Sequence, residues 1–353
     1  MKSNSIKTQR GLSLIELMIA VTLGIFISGG IIQLFVNSKQ SYRVQENLSR
    51  LQENGRFAME FITRDIRAAG YFGCLNNLVD IENELKDQTN NAWDITTSLS
   101  GYDNVSSTFS IFDGVVENTD VIVMRGLSDS SSPLISPFSN SSQMFVDSNF
   151  NDDCPPDKDD TCHIGEILMV TDCSQGTIFQ STNTSDIAGG SGVNVVHSSN
   201  NTSTPGNAPP SIFTKSYGVG SEIARLNTFG YYIRLNAANR PSLYRSRLVA
   251  SLSATNALSA EELVEGIENM QILYGEDTDN DKTPNYYVPA GTAGLNMDNV
   301  VSVRVSLLAT TLEDNIATQA VPYTIFGGVP IAPGDRKIRR VFTSTIAVRN
   351  RLP

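Results

Sequence analysis

The sequence predicts an α+β protein in which one long N-terminal helix carries a mostly antiparallel β headpiece. No charged residue occurs between positions 17 and 38, and a helical pattern of apolar residues continues beyond this run. Because no proline precedes Pro133, proline interrupts neither part of the helix. From residue 71 onward, short β-branched runs alternate with clusters of Gly, Asn, Asp and Ser, which is typical of strands and turns.

The composition limits the classes of function. A chain of 353 residues with 40% hydrophobic residues can bury a core in one large domain or two ordinary ones. Its formal charge of −11 disfavours direct binding to nucleic acid, which requires clustered Lys and Arg. The chain has only two histidines, and no G-x-S-x-G, P-loop or H-E-x-x-H pattern occurs. We therefore expect no enzymatic activity.

The first element has the length and charge pattern of a membrane span. Residues 17–38 are 22 uncharged residues, and as a helix they would extend for about 33 Å, enough to cross a hydrocarbon core. Lys2, Lys7 and Arg10 precede them, which places the N-terminus in the cytoplasm and the rest of the chain outside. A cleaved signal peptide and a permanent signal anchor are alternatives, but both leave Glu16 unexplained, since an intramembrane carboxylate requires a partner.

The segment "RGLSLIELMIAV", residues 10–21, resembles the class III leader of type IV pilins and type II secretion pseudopilins. The resemblance implies that residues 1–11 are a leader, which prepilin peptidase removes by cutting between Gly11 and Leu12. It also implies N-methylation of Leu12 and a role in assembly for Glu16, whose carboxylate would receive the N-terminal ammonium of a neighbouring subunit. A buried charge that is paired in this way is tolerated.

The helix is predicted to continue to about residue 69, which gives a helical region over 12–70. Apolar residues recur at steps of three, four or seven: Val44, Leu48, Leu51, Ala58, Ile62 and Ile66. Charged residues fill much of the opposite face, and Gly70 is a candidate for the helix end. A helix of this length would extend for roughly 87 Å, with its first half in lipid and its second half packed on the headpiece.

The headpiece is predicted to span residues 71–353 and to be built of antiparallel strands. The candidate strands are residues 120–126, 166–172, 176–182, 228–235, 242–250, 300–311 and 340–350. The Ser- and Asn-rich segments 128–142 and 181–192 are predicted to be surface loops.

The headpiece also resembles a particular family. The segments "GYFGC" (70–74), "VEGIENMQILYGEDTDND" (264–281) and "RRVFTSTIAVRNR" (339–351) resemble the PilW family of large minor pilins of the type IV pilus. This resemblance implies a single-pass inner-membrane protein with a periplasmic headpiece that is later incorporated into the extracellular pilus. The implied partners are other minor pilins, the major pilin, prepilin peptidase, the inner-membrane assembly machinery and a large tip adhesin.

Three functions remain open at the level of the sequence. The chain could prime or cap the pilus as a minor pilin, serve as a minor pseudopilin of a type II secretion system, or act as a tip adhesin whose loops bind a surface. A headpiece of 283 residues, counted from 71 to 353, favours a position at the filament end. Its expected radius of gyration of about 19 Å is too large for every subunit of a closely packed helical array.

The four cysteines are predicted to form two disulfides in an oxidising compartment. Cys154 and Cys162 flank a short acidic loop, and we expect them to pair. Cys74 and Cys173 would then join the end of the helix to a strand.

The segment "DTDNDKTPNYYV", residues 277–288, is a candidate calcium loop. Asp277, Asp279 and Asp281 have the alternating spacing of an EF-hand loop. However, Lys282 replaces the glycine of the sharp turn, and Val288 replaces the bidentate glutamate. A solvated acidic turn between strands is therefore the favoured interpretation.

Overall fold

The computed structural model describes residues 13–75, 80–88, 90–139, 141–152, 154, 162–199, 203–249, 252 and 258–351. Helix α1 (Leu14–Ala68) contains 55 residues and is followed by fifteen strands among the described residues. The prediction of one long N-terminal helix and mostly antiparallel sheets is confirmed. Gly11, Leu12 and the predicted leader lie outside the described residues.

Helix α1 has two halves with different surroundings. The first half is exposed on all sides. In the second half Leu51, Ala58, Ile62 and Ile66 are buried as their spacing predicts, whereas Val44 and Leu48 are half-buried. The helix begins at Leu14 rather than at residue 12, because Ser13 is the N-cap. It ends one residue earlier than predicted, with Ala69 as the C-cap and Gly70 at a positive φ of 76°.

The strands form three sheets. In chain order they are β1 (Ile81–Asn83), β2 (Leu99–Tyr102), β3 (Val121–Pro133), β4 (Gln143–Val146), β5 (Ile167–Thr171), β6 (Gly176–Gln180), β7 (Asn183–Asp186), β8 (Val193–Val196), β9 (Glu222–Leu235), β10 (Pro241–Leu248), β11 (Leu258–Glu265), β12 (Ile267–Glu276), β13 (Tyr286–Val288), β14 (Val300–Thr310) and β15 (Arg339–Ala347). Short 3-10 helices occupy Ser148–Asn151, Met297–Asn299 and Arg349–Arg351.

The largest sheet is organised around β9. Its order is β1-β6-β5-β9-β10-β11, and β3 pairs with the other edge of β9 and with β2. Strands β5 and β10 share one edge of β9, each pairing with a different part of its 14 residues. Among the described strand pairs, only β1 with β6 is parallel.

Two smaller sheets complete the headpiece. One has the order β13-β12-β14-β15, and the second half of α1 lies mainly against its β14 and β15. The other has the order β4-β8-β7. The core between α1 and the four-stranded sheet contains Ile62, Ile66, Met270, Val305 and Leu307, all fully buried. This packing fixes the headpiece on one face of the helix.

Two segments predicted to be loops contain strands. Strand β3 continues through Ser128–Pro133, where Ser132 is buried and pairs with Ile223 of β9. Strand β7 lies within the predicted loop 181–192. The composition of both segments is that of turns, but backbone pairing, of β3 with β9 and of β7 with β8, outweighs weak local β propensity.

Candidate functional site

The exposed half of α1 is the first candidate interaction surface. It contains an 18-residue window of mean hydropathy 2.2, none of which is buried within the protein, and it is the one candidate span among the described residues. Large apolar side chains are exposed along this half, with Phe26 at 81% and Leu34 at 71%. A helix that is apolar on all sides is stable only inside lipid or among other apolar helices. The segment is therefore consistent with a single-pass membrane anchor.

Glu16 has a partner within its own chain. Its Oε2 accepts a bond from the backbone N–H of Ser13 at 2.9 Å and one from the Ser13 hydroxyl at 3.0 Å. In return, the Glu16 N–H donates to Ser13 Oγ at 3.3 Å. This reciprocal pair is a capping box, and the sequence signal for it is Ser-x-x-Glu at positions 13–16. The sequence interpretation considered only the intermolecular partner and missed this one.

The capping box leaves part of the Glu16 carboxylate unused. Both bonds from Ser13 go to Oε2, and an ionised carboxylate can accept about four hydrogen bonds. Within the described part of the chain, no donor is recorded at Oε1, and Glu16 is exposed. Capping the helix and receiving a cation from a neighbour are therefore compatible.

A buried ionic cluster joins α1 to the large sheet. Asp65, which is 8% exposed, accepts a bond from the Tyr231 hydroxyl at 2.5 Å and one from Arg245 at 3.2 Å. Arg245 also pairs with Glu261 of β11. Burial and the adjacent Asp65 raise the pKa of Tyr231. The hydroxyl thus stays protonated and keeps donating to Asp65, which locks the rotation of the helix relative to the headpiece.

The contact of α1 with β15 is close because of a glycine. Gly55 is buried, and a Cβ at this position would overlap the ring of Phe342. At the distal end of the helix, the Asn350 side chain donates to the carbonyls of Ala68 and Ala69 at 3.2 Å each. The Gly70 N–H donates to the Arg125 carbonyl of β3 at 2.8 Å. The helix is therefore fixed to the headpiece at both ends of its buried half.

A groove with a volume of about 1650 Å³ runs between the outer face of α1 and strands β3, β9 and β15. Its lining combines phenylalanines with arginines, among them Phe57, Phe61, Phe342, Arg56, Arg64 and Arg340. Each of these arginines lies over a phenylalanine ring, at 5.6 to 5.8 Å from its centroid. In a chain with a net charge of −11, this is a locally basic and aromatic surface, and aromatic residues and arginine are enriched at protein interfaces.

The cysteines form two disulfides. Cys74 joins Cys173 with a Cα–Cα distance of 5.0 Å, and Cys154 joins Cys162 with one of 5.7 Å. Both bridges fit the pairing expected from the sequence. The first bridge attaches the segment after α1 to the turn between β5 and β6. His163, beside the second bridge, contacts the Phe150 carbonyl and Glu166 at 2.7 Å each.

The acidic loop lies between β12 and β13, on the surface. Carboxylate oxygens of Asp277, Asp279 and Asp281 lie within 4.8 Å of one another. Asp277 accepts the backbone N–H groups of Asn280 at 2.6 Å and Lys282 at 2.8 Å. Burial acts to raise the pKa of Asp277, but these and neighbouring hydrogen bonds together outweigh it, so the pKa is lowered. The loop is thus closed by its own hydrogen bonds, as expected for the turn. Calcium binding by the three aspartates stays a prediction.

Comparisons with known proteins concern the second half of the headpiece. Residues 230–350, about a third of the chain, match the family model of PilW, the type IV pilus-assembly protein W. The matched residues contain β10 to β15 and thus the whole four-stranded sheet on which α1 packs. No curated protein matches the chain, and no solved structure does. The family match supports a type IV pilus-related protein.

Proposed function

We propose that this chain is a minor pilin that primes or caps a type IV pilus together with other minor pilins. One observation carries the proposal: a helix whose exposed half is apolar is continuous with a half fixed to a sheet that lies within the PilW match. The exposed half suits both the bilayer before assembly and the neighbouring helices in a filament. No catalytic step is part of this proposal.

The proposed partners rest on the resemblance and on the two surfaces described above. Prepilin peptidase would cut between Gly11 and Leu12, and the new N-terminal ammonium would meet the carboxylate of a neighbouring subunit. The basic and aromatic groove beside α1 would receive the headpiece of another minor pilin. Before assembly the headpiece would lie in the periplasm, held by α1 in the inner membrane, where the assembly machinery would extract it. A large tip adhesin is a further partner implied by the resemblance.

The size of the headpiece favours the filament end over the repeating unit. Residues 71–353 give an expected radius of gyration of about 19 Å, whereas a helix is about 10–12 Å wide. If the helices of all subunits packed side by side in a filament, headpieces of this size would clash with one another. A subunit at the end has open space beyond it.

Quantitative proteomics of sheared filaments tests the proposal. We expect peptides of this chain far below the major pilin in amount, with its first mature peptide beginning at Leu12. Near parity with the major pilin would refute the capping role. Cleavage near residue 30, or no cleavage, would refute the pilin interpretation itself.

The same architecture would serve a minor pseudopilin of a type II secretion system. Deleting the gene distinguishes the two: loss of pili with normal protein secretion supports the pilus role, and the reverse supports the secretion role.

A further inference from the structure

The connection between β14 and β15 is an uncharged segment on the surface of a charged protein. Residues 316–334 contain no Asp, Glu, Lys, Arg or His, although 18% of the chain is Asp, Glu, Lys or Arg. Several of its apolar side chains are not covered by the headpiece: Val329 is 85% exposed, Val321 52% and Ile331 49%. The segment is held at its start, where Ile316 is 3% exposed, and at the half-buried Tyr323, whose ring lies 5.8 Å from the guanidinium of Arg339. Exposed apolar surface of this kind marks a contact with something outside the chain.

Two contacts show which end of the headpiece carries this segment. The Phe342 ring lies on Gly55, while Asn350 binds the carbonyls of Ala68 and Ala69. Strand β15 therefore runs along α1 in the same direction, away from the apolar half. Because residues 316–334 precede β15, they connect the strands at the end of the headpiece nearer to the apolar half.

An ion pair fixes the height of the segment along α1. Glu313, at the start of the connection, binds Arg43 at 2.8 Å. Arg43 follows Ser38, the end of the uncharged run, by five residues, which is about 7.5 Å of helix. The headgroup layer on each side of a hydrocarbon core is about 5–7 Å thick. The start of the segment thus lies at the outer edge of that layer, at about the height of Tyr42, an aromatic residue 65% exposed.

The charges that flank the segment do not oppose contact with an anionic bilayer. Asp314 accepts the backbone N–H groups of Asn315 and Arg336, at 2.6 and 2.9 Å. Asp335 binds Arg339 at 2.6 Å. Asp335 is thus paired with a cation, and the charge of Asp314 is offset by the nearby Arg336, which is exposed just after the segment. Basic residues beside an anionic bilayer are attracted to it.

We propose that residues 316–334 form a loop that rests in the interfacial layer of the leaflet on the headpiece side. The membrane would then hold the headpiece at two places, through α1 and through this loop, and fix its orientation about the helix axis before assembly. The partner is a lipid surface. The proposal rests on α1 being the membrane anchor, as in the proposed function.

A fluorescent label at Val329 tests the contact. All four native cysteines are in disulfides, so Val329→Cys in the full chain provides one reactive thiol. The labelled protein is reconstituted into liposomes of phosphatidylethanolamine and phosphatidylglycerol, with and without lipids brominated near the headgroup end of the acyl chain. We expect emission shifted to the blue and at least twofold quenching by the brominated lipid.

Val219→Cys is the matched control. Val219 is apolar and 64% exposed, and it lies just before β9, at the end of the headpiece away from the apolar half of α1. This placement follows because β9 begins opposite Pro133, eight residues beyond Arg125, which contacts Gly70 after the helix end. A label there should show neither effect.

The outcomes separate the loop from the anchor. If the chain floats with the liposomes and the label at Val329 is quenched no more than at Val219, the loop proposal is wrong. If the label is shifted to the blue without quenching, the loop contacts protein instead of lipid, which also refutes the proposal. If the chain does not float at all, the anchor and the proposed function fail first. Emission of the buried Trp93 verifies that each variant is folded.

Discussion

Glu16 has one role that the structure shows and one that we propose. Its contacts with Ser13 satisfy donors at the start of α1, which is a local role in helix stability. The proposed function would give the same carboxylate a second, intermolecular role, as the acceptor of a neighbour's ammonium. The two roles depend on different properties, since capping needs an acceptor oxygen whereas pairing with an ammonium needs the negative charge.

Substitutions at positions 13 and 16 separate these roles. Glu16→Gln retains an acceptor for Ser13 but removes the charge, so we expect fewer pili, with unchanged length and thickness of those that form. Ser13→Ala breaks the capping box but keeps the charge. It should cost about 1 kcal/mol of helix stability and leave pilus number near the native value.

Counting pili by electron microscopy, with this protein's membrane level held equal by immunoblot, measures both variants. Normal pilus number with Glu16→Gln would show that the charge of Glu16 is not needed for assembly.

At the scale of elements, α1 combines two surfaces that obey different rules. Its first half is apolar on every side, and its second half presents a buried stripe to β14 and β15. Gly55 lies within that stripe, where the missing Cβ permits the ring of Phe342 to cover the helix backbone. A glycine inside a helix costs up to about 1 kcal/mol relative to alanine, and here the close approach to β15 compensates for it.

The variant Gly55→Ala is expected to destabilise the headpiece despite its better helix propensity. Overpacking costs about 1–3 kcal/mol, which exceeds the propensity gain of at most about 1 kcal/mol. Adding Phe342→Leu should recover part of the loss, because it removes the ring atoms that overlap the new Cβ.

Thermal melting of the full chain in detergent, followed by Trp93 emission, measures the effect. Gly24→Ala is the control, since no atom lies within 4 Å of a Cβ at Gly24. A native melting temperature for Gly55→Ala would mean that Phe342 moves aside without cost.

At the scale of the whole molecule, the headpiece is held together by contacts between residues far apart in the chain. The Cys74–Cys173 bridge has a sequence separation of 99 residues, and Asp65 binds Tyr231 and Arg245. Two buried titratable groups lie in different parts of the structure. Asp120 accepts N–H groups from Asn104 and Ile272, whereas His197 stacks on Phe213.

These two groups are expected to oppose each other in the pH dependence of stability. Burial raises the pKa of Asp120 to about 7, so the folded state holds this proton more tightly and stability falls as the pH rises from about 4 to about 7. Burial lowers the pKa of His197 to about 4, so the unfolded state binds that proton first and stability rises between pH 4 and about 6.5. Each group contributes a slope of at most about 1.4 kcal/mol per pH unit.

Single variants should uncover each slope. Asp120→Asn removes the contribution that decreases with pH, so the free energy of unfolding should rise more steeply between pH 4 and 6.5. His197→Phe removes the contribution that increases with pH, so the free energy of unfolding should fall over the same range. Urea unfolding of the full chain in detergent, followed by Trp93 emission at several pH values, gives the slopes. If the free energy of unfolding depended on pH in the same way in both variants and in the native chain, Asp120 and His197 would not be the groups responsible.

The sequence determined those features that depend on local patterns. The uncharged run and the 3.6-residue spacing after it predicted α1 and its two halves. The β-branched runs predicted seven of the strands. Such patterns are visible in the sequence because buried residues recur with the period of the helix or strand that contains them. The Ser-rich part of β3 and the strand β7 were wrongly expected to be loops, since their strand state comes from pairing with β9 and β8. Most of the strands that were not predicted are short or partly exposed, and their apolar and polar residues do not alternate clearly.

The tertiary structure alone decided how distant residues meet. The contact of Phe342 with Gly55, the groove beside α1 and the position of residues 316–334 near the apolar half each combine segments hundreds of residues apart, and no spacing in the sequence encodes such a distance. Glu16 also shows the difference between what the sequence and what the structure determined. The sequence marked the carboxylate as anomalous because a charge in an apolar run requires a partner, whereas the structure showed that the nearest partner, Ser13, lies in the same helix turn.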